Sequence, residues 1–231
     1  MVQVNNTPIV LRVKFFKRGK LQYISHLDLV RTMMKIIVRA KLPLWYTEGF
    51  NPKPKLVFAA PLSTGTESMC EIMDIRLSEK MPVYEAMARL NANMTDEMQV
   101  LEAYYPETKL TELKWLSYRM ELSCVGASEA LAESCNAALA ADTLTVLKKT
   151  KSGEAQVDIK PLVKSCEVAY EDAKLTVNCV LSADQSSFLN PEYIVKLLRD
   201  RCGVLSSGDL LSESYTVMRL EAFLGDMTPF R

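Results

Sequence analysis

The residues with the clearest chemical potential lie in the stretch TEGFNPKPKLVF, residues 47–58. Its second half alternates prolines with lysines, as Pro52, Lys53, Pro54 and Lys55. The prolines hold the chain extended, so both ammonium groups can point the same way and neutralise phosphates. An aromatic ring beside them can stack on a base for about 1–3 kcal/mol. This segment therefore predicts binding of a single-stranded nucleic acid.

Phe50 is the predicted stacking ring of this loop. Gly49 before it permits a positive φ, and the segment is too irregular to bury Phe50 by periodicity. The alternative is a crossover loop whose Phe50 packs into the core. The predicted nucleic-acid contacts of the loop are Phe50, Asn51, Lys53 and Lys55, and its predicted structural residues are Gly49, Pro52 and Pro54.

The segment ISHLDL, residues 24–29, predicts the start of a helix. Ser25 followed three residues later by Asp28 is a capping box, flanked by apolar residues placed to form a hydrophobic staple. His26 takes the first helical position, where a neutral imidazole could accept a proton or bind a phosphate or base. It is a candidate nucleic-acid contact and the one candidate catalytic residue. A single histidine at this position is also common as an ordinary exposed residue.

Arg31, Lys35 and Arg39 recur every four residues along the same predicted helix. Such a basic stripe is usually solvated surface, but KFFKRGK before the helix and NPKPK after it favour a binding role. Arg31 and Lys35 are therefore predicted nucleic-acid contacts. The apolar residues expected to give this helix its buried face are Leu27, Val30, Met34, Ile37 and Val38.

The charge distribution points to the same region. The 231-residue chain has 28 basic and 28 acidic residues and no net charge. Residues 1–66 alone contain eleven lysines and arginines against two acidic residues, a net charge of +9. Because the motifs lie within this segment, we expect its positive charge to attract a polyanion.

Several kinds of site are not predicted. The six cysteines contain no CxxC pair, and there is one histidine, so neither a metal site nor a cofactor is expected. The cysteines are expected to be small buried hydrophobes. The amino terminus lacks the features of a signal peptide, and no segment supplies the ~18 apolar residues of a membrane helix. These features predict a cytoplasmic protein without a membrane partner.

The periodicity predicts an α+β fold made of two tandem ferredoxin-like halves. Each half follows the order β-α-β-β-α-β and should form an antiparallel sheet. A polar stretch, YYPETKLTEL, separates the halves. The predicted domains are residues 1–108, which carry the SHLD and GFNPKP motifs, and residues 109–231.

The segments ISHLDLVR, RAKLP and TEGFNPKPKLVFAAPLSTGTES, in this order, resemble the bacterial radical-SAM-linked protein family, whose function is uncharacterised. The resemblance covers residues 9–105, with departures at Thr47 and Glu48. Members of that family occur behind a cobalamin-type radical SAM domain or as separate small proteins, which implies a radical SAM enzyme as partner. This chain has no CxxxCxxC motif, so any radical chemistry would belong to the partner.

We therefore expect a non-catalytic accessory protein that binds RNA, presents it to a radical SAM enzyme, or does both, through a basic amino-terminal surface. One alternative is a protein–protein adaptor whose positive face pairs with an acidic partner. The other is a metal-independent RNA-processing nuclease in which His26 acts as general acid or base.

Overall fold

The computed structural model describes residues 7–150, 153–209 and 211–231. These residues form four α-helices and ten β-strands, so the protein is of the α+β class. The chain divides into two compact units: the first extends to Leu110 and includes Arg231, and the second spans Thr111–Phe230. None of the described helices is both long enough and apolar enough to cross a lipid bilayer.

The first unit follows the order β-α-β-β-α-β. Its strands are β1 (Ile9–Lys17), β2 (Leu56–Phe58), β3 (Thr66–Leu77) and β4 (Met98–Tyr104), and its helices are α1 (His26–Arg39) and α2 (Val83–Asn91). The strands lie side by side in the order β4-β1-β3-β2, and each neighbouring pair is antiparallel.

The core of the first unit lies between its sheet and its two helices. Leu11, Val13 and Phe15 alternate along β1, which places their side chains on one face of the sheet. The helices cover that face with Leu29, Met33, Ile36 and Ile37 of α1 and with Ala86 and Leu90 of α2. Burial of these side chains stabilises the unit by about 1.5–3 kcal/mol for each large one.

The buried face of α1 differs from the predicted one. Leu27 is 57% exposed and Val38 is 47% exposed, although both were expected in the core. Leu29 and Met33, which the pattern had not selected, are buried instead. The apolar residues of this helix span about half of its circumference, which is wider than the buried face, so a 3.6-residue period fits more than one choice of buried residues. Contacts with the sheet decide between them.

A buried ion pair connects β1 to β3. The register places Arg12 opposite Asp74, and Arg12 Nε lies 2.7 Å from Asp74 Oδ1 while a terminal guanidinium nitrogen lies 3.1 Å from Oδ2. Arg12 also donates to the hydroxyl and the carbonyl oxygen of Thr108, at 2.9 and 3.0 Å. This bidentate geometry satisfies a guanidinium that has no exposed surface.

The second unit repeats the order of the first with one addition. Its elements are β5 (Trp115–Ser123), α3 (Glu129–Ala140), β6 (Thr145–Thr150), β7 (Gly153–Asp158), β8 (Val163–Glu171), β9 (Lys174–Ser182), α4 (Glu192–Cys202) and β10 (Ser214–Phe223). The order in the sheet is β10-β5-β9-β8, again antiparallel. Strands β6 and β7 form a separate hairpin.

An asparagine from a helix covers the outer edge of one strand in each unit. Asn91 of α2 accepts from the backbone N–H of Val100 in β4 at 2.7 Å and donates to its carbonyl oxygen at 3.1 Å. Asn136 of α3 does the same for Val168 in β8, at 2.9 and 2.7 Å. These side chains occupy backbone groups through which another chain could add to the sheet.

Replacing Asp74 tests the contribution of the buried ion pair. Asp74→Ala removes the carboxylate from the buried guanidinium, and we expect it to lower the free energy of unfolding by about 3–5 kcal/mol. The measurement is urea unfolding followed by Trp45 fluorescence in a Trp115→Phe background, which restricts the signal to the first unit.

The control is Glu85→Ala, which removes the carboxylate of an exposed ion pair between Glu85 and Arg89. We expect a loss of about 0.3–0.5 kcal/mol for this pair. If both variants lose the same free energy of unfolding, the buried ion pair between Arg12 and Asp74 contributes no more to stability than the exposed pair does.

Candidate functional site

Local hydrogen bonds fix the beginning of α1. Ser25 Oγ accepts from the backbone N–H of Asp28 at 3.1 Å, and the hydroxyl donates to Asp28 Oδ2 at 2.8 Å. The hydrogen bond from Ser25, followed by that from Arg31, holds the pKa of Asp28 below its usual value. Leu29 is buried in the core, and Ile24 packs against the same core. The ISHLD segment thus positions the helix.

His26 lies half-buried at the first position of α1. Its ring packs edge-on against Phe58 of β2, with the centroids 5.2 Å apart, and Phe58 in turn contacts Phe15 at 6.3 Å. Within the described parts of the chain, no side chain forms a hydrogen bond or ion pair with the imidazole. The geometry therefore assigns His26 to an aromatic cluster and provides it with no acid–base partner.

The predicted basic stripe runs along the exposed face of α1. Arg31 donates to Asp28 Oδ1 at 3.1 Å, so its charge is partly compensated. Lys35 and Arg39 are exposed and form no ion pair with any carboxylate of residues 7–150, 153–209 or 211–231. The carboxyl-terminal half of the helix is therefore the more strongly positive half.

Residues 44–55 form an extension that we term the arm. Its base is attached to β3 through Arg76, whose carbonyl accepts from Trp45 N–H at 2.9 Å and whose N–H donates to Lys55 O at 3.0 Å. Further out, Thr47 N–H donates to Lys53 O at 3.0 Å, and Lys53 N–H donates to Thr47 Oγ1 at 3.1 Å. These four hydrogen bonds hold the two sides of the arm together.

Phe50 lies at the tip of the arm. Gly49 before it has a φ of +119°, a conformation that favours glycine, and the space around Gly49 is open. The relative exposure of Phe50 is 112%, so nothing in the described structure covers its ring. Asn51 and Pro52 are exposed as well. The loop therefore presents an aromatic side chain to solvent and does not pack it into the core.

A groove of about 280 Å³ lies between α1 and the arm. Its lining residues are Met34, Lys35, Val38 and Arg39 of the helix and Pro54 of the arm. The exposed lysines Lys53 and Lys55 flank Pro54 in the chain. We use the name basic–aromatic surface for Lys35, Arg39, Phe50, Lys53 and Lys55.

The structure thus brings together some of the predicted contacts and separates others. At 1.5 Å rise per residue, His26 lies about 14 Å along the helix axis from Lys35. Sequence reasoning missed the apolar part of the groove, Met34 and Val38. Their spacing of four residues, next to Lys35 and Arg39, was the available signal, but the same residues had been assigned to the core.

Residues 1–66 expose less positive charge than their net charge suggests. Arg12 and Lys17 are buried, and Lys14 is half-buried. Lys17 Nζ donates to the carbonyl oxygens of Leu21 and Thr66, at 3.1 and 3.0 Å, so this cation supports a turn inside the unit. The net charge of +9 in residues 1–66 therefore overstates what a ligand would meet.

Thr47, which is hydrogen-bonded to Lys53 across the arm, provides a testable prediction. Thr47→Val removes the hydroxyl that accepts from Lys53 N–H but leaves the backbone hydrogen bond in place. A neutral hydrogen bond is worth about 0.5–1.5 kcal/mol, so amide exchange at Lys53 should become about 2- to 10-fold faster. The control is Thr64→Val, an exposed threonine outside the arm. If the exchange rate at Lys53 is unchanged in Thr47→Val, the Thr47 hydroxyl does not help to hold the two sides of the arm together.

Comparisons with known proteins place the chain in a family but not in a functional class. No curated protein matches its sequence significantly. An unknown protein from Galdieria sulphuraria is 9% identical, with 92% of this chain and 99% of that chain covered and a TM-score of 0.27. DyPB from Rhodococcus jostii RHA1 is 10% identical, with 93% and 92% covered and a TM-score of 0.23. TM-scores this low carry no functional argument.

A protein-family model also matches the chain. It covers residues 10–191 and so includes α1, the arm and most of the second unit. In the described residues, no group of three or more histidine, cysteine, aspartate or glutamate side chains is arranged to hold a metal ion. The chain belongs to the family described as an uncharacterized protein conserved in bacteria, DUF2344.

Proposed function

We propose that this protein is a non-catalytic accessory protein that binds single-stranded RNA on the basic–aromatic surface. The observation that carries the proposal is the complete exposure of Phe50 at the tip of a hydrogen-bonded arm. Burying a phenylalanine side chain would stabilise a fold by about 1.5–3 kcal/mol. The exposed ring of Phe50 does not contribute this stabilisation. A ring held in solvent beside lysines is suited to stacking on an unpaired base.

The surrounding cations are suited to the phosphates of such a strand. Lys53 and Lys55 lie on the arm, and Lys35 and Arg39 lie across the groove on α1. Since the described residues provide no ion pair for any of the four, binding RNA would not first require breaking one. Each phosphate contact releases counterions, so the affinity should fall steeply with salt.

The strand orders support a ferredoxin-like interpretation of both units. β4-β1-β3-β2 and β10-β5-β9-β8 are equivalent once the hairpin of β6 and β7 is set aside as an insertion. Many RNA-binding domains use a four-stranded sheet with two helices. Here RNA would bind beside the sheet, on α1 and the arm.

The resemblance to radical-SAM-linked proteins extends the proposal to a partner. The bound RNA would be presented to a radical SAM enzyme, which would supply the cluster that this chain lacks. His26 takes no catalytic part in this proposal, because its ring packs against Phe58.

A protein adaptor is the second candidate, and the groove favours it. Met34, Val38 and Pro54 give the groove an apolar lining, which suits a protein side chain better than a phosphate. Crosslinking in cells, followed by sequencing of bound RNA and mass spectrometry of bound proteins, separates the two. Recovery of protein without RNA would favour the adaptor.

Charge reversal tests the electrostatic part of the proposal. The triple variant Lys35→Glu, Lys53→Glu and Lys55→Glu should abolish retention on single-stranded RNA, because these lysines would repel phosphates. Its Tm should change little, since all three side chains are exposed. The measurements are filter binding at low salt and thermal unfolding.

The matched control reverses three exposed cations that do not line the groove, Lys80, Lys164 and Arg199, which gives the same change in net charge. We expect this control to keep most of the binding. If both variants lose RNA binding equally, binding depends only on the net charge of the protein, which contradicts a specific binding surface.

Replacing Phe50 tests the stacking part. Phe50→Ala should weaken binding of single-stranded RNA by about 1–3 kcal/mol, or about 5- to 150-fold in Kd, without changing the Tm. Phe50→Tyr is the control, because it keeps an aromatic face and should bind nearly as well. Fluorescence titration with a labelled oligonucleotide measures both. An affinity unaffected by Phe50→Ala would remove the stacking role.

A further inference from the structure

Two cysteines of the second unit lie opposite each other on neighbouring strands. Cys166 in β8 and Cys179 in β9 are register partners in a regular antiparallel stretch. Both are thiols in this structure. Cys166 is half-buried on the edge strand, whereas Cys179 is 2% exposed.

The hydrogen bonding of β8 shows which kind of pair they form. Asn136 accepts a hydrogen bond from the backbone N–H of Val168 and donates one to its carbonyl oxygen, so both backbone groups point away from β9. The pair between Val168 and Val177 is therefore a non-hydrogen-bonded pair. Pair types alternate along an antiparallel ladder, so Cys166 and Cys179, two positions away, also form a non-hydrogen-bonded pair.

This pair type brings side chains close together. Its Cα atoms are typically about 4.5 Å apart, which falls within the range of about 4.4–6.8 Å that a disulfide spans. A hydrogen bond with Cys166, followed by burial, raises the pKa of Cys179 well above its ordinary value.

We infer that Cys166 and Cys179 form a reversible oxidation site, at which a hydroperoxide converts the two thiols into a cross-strand disulfide. Cys166 is the thiol that meets the oxidant, because it is the more exposed of the two. Cys179 is the resolving thiol, because it lies buried beside Cys166. This site is independent of the proposed RNA surface, which belongs to the first unit.

The reaction balances with hydrogen peroxide as the oxidant. The Cys166 thiolate attacks one oxygen, the O–O bond breaks, and the released hydroxide takes up a proton to become water. Cys179 Sγ then attacks the sulfur of the resulting sulfenic acid. The S–O bond breaks, and the leaving hydroxide takes the thiol proton of Cys179 as a second water. The two thiols lose two electrons, and peroxide gains them.

A second pair of cysteines in this unit is less suited to the same reaction. This pair is Cys135 and Cys202. Cys202 Sγ directs its proton to the carbonyl oxygen of Ser134, at 3.8 Å. These cysteines lie on two helices, α3 and α4, where no strand register aligns them.

The test oxidises the 231-residue chain with increasing amounts of hydrogen peroxide, then blocks the free thiols and maps the peptides by mass spectrometry. We expect the number of free thiols to fall by two from six, the peptides of Cys166 and Cys179 to be joined, and a dithiol reductant to reverse the change. Titration of all six thiols after oxidation, or a link confined to Cys135 and Cys202, would overturn the inference.

Two variants make the test specific. Cys166→Ser changes a half-exposed side chain and should abolish the link while the circular dichroism spectrum stays unchanged. Cys124→Ser, which changes a half-buried cysteine outside both pairs, should leave the link intact. Persistence of a disulfide at Cys179 in Cys166→Ser would also contradict the assignment.

Discussion

The register of β1 against β3 is the constraint on which the first unit depends. It places Arg12 opposite Asp74 and Val10 opposite Arg76. A slip of one residue would turn every side chain of β1 to the other face and move Arg12 into the core formed by Leu11 and its neighbours. The buried ion pair therefore selects one register. Arg76, the partner of Val10 in this register, also forms the hydrogen bonds that hold both sides of the arm, so β3 connects the core to the base of the arm.

Some cations of the first unit are buried in the fold, and others remain exposed. Arg12 and Lys17 are buried and satisfied by oxygen atoms, so they contribute to the fold. Lys35, Arg39, Lys53 and Lys55 remain in solvent around the groove and the arm. Arg18, Lys20 and Lys41 are also exposed and do not line the groove, so burial lowers the accessible positive charge without confining it to the groove.

In the second unit, one side chain on a helix protects the backbone of an edge strand. Asn136 occupies the outward backbone groups of Val168, which protects β8 from pairing with another chain. The same hydrogen bonds identify the pair type that brings Cys166 close to Cys179. Edge protection and thiol proximity thus follow from one local arrangement, and neither requires the arm or the basic–aromatic surface.

The sequence alone determined the features that depend on neighbouring residues: the order of helices and strands in the first unit, the Ser25 cap of α1, and the glycine turn before Phe50. These involve residues a few positions apart, whose interactions are set by the local backbone. Only the tertiary structure decided which face of α1 is buried, that Arg12 lies beside Asp74, that Phe50 stays in solvent, and that Cys166 faces Cys179. The first two depend on contacts between residues distant in the chain, such as the 62 positions that separate Arg12 from Asp74. Composition and periodicity do not record such contacts, because several packings satisfy the same pattern until the sheet register selects one.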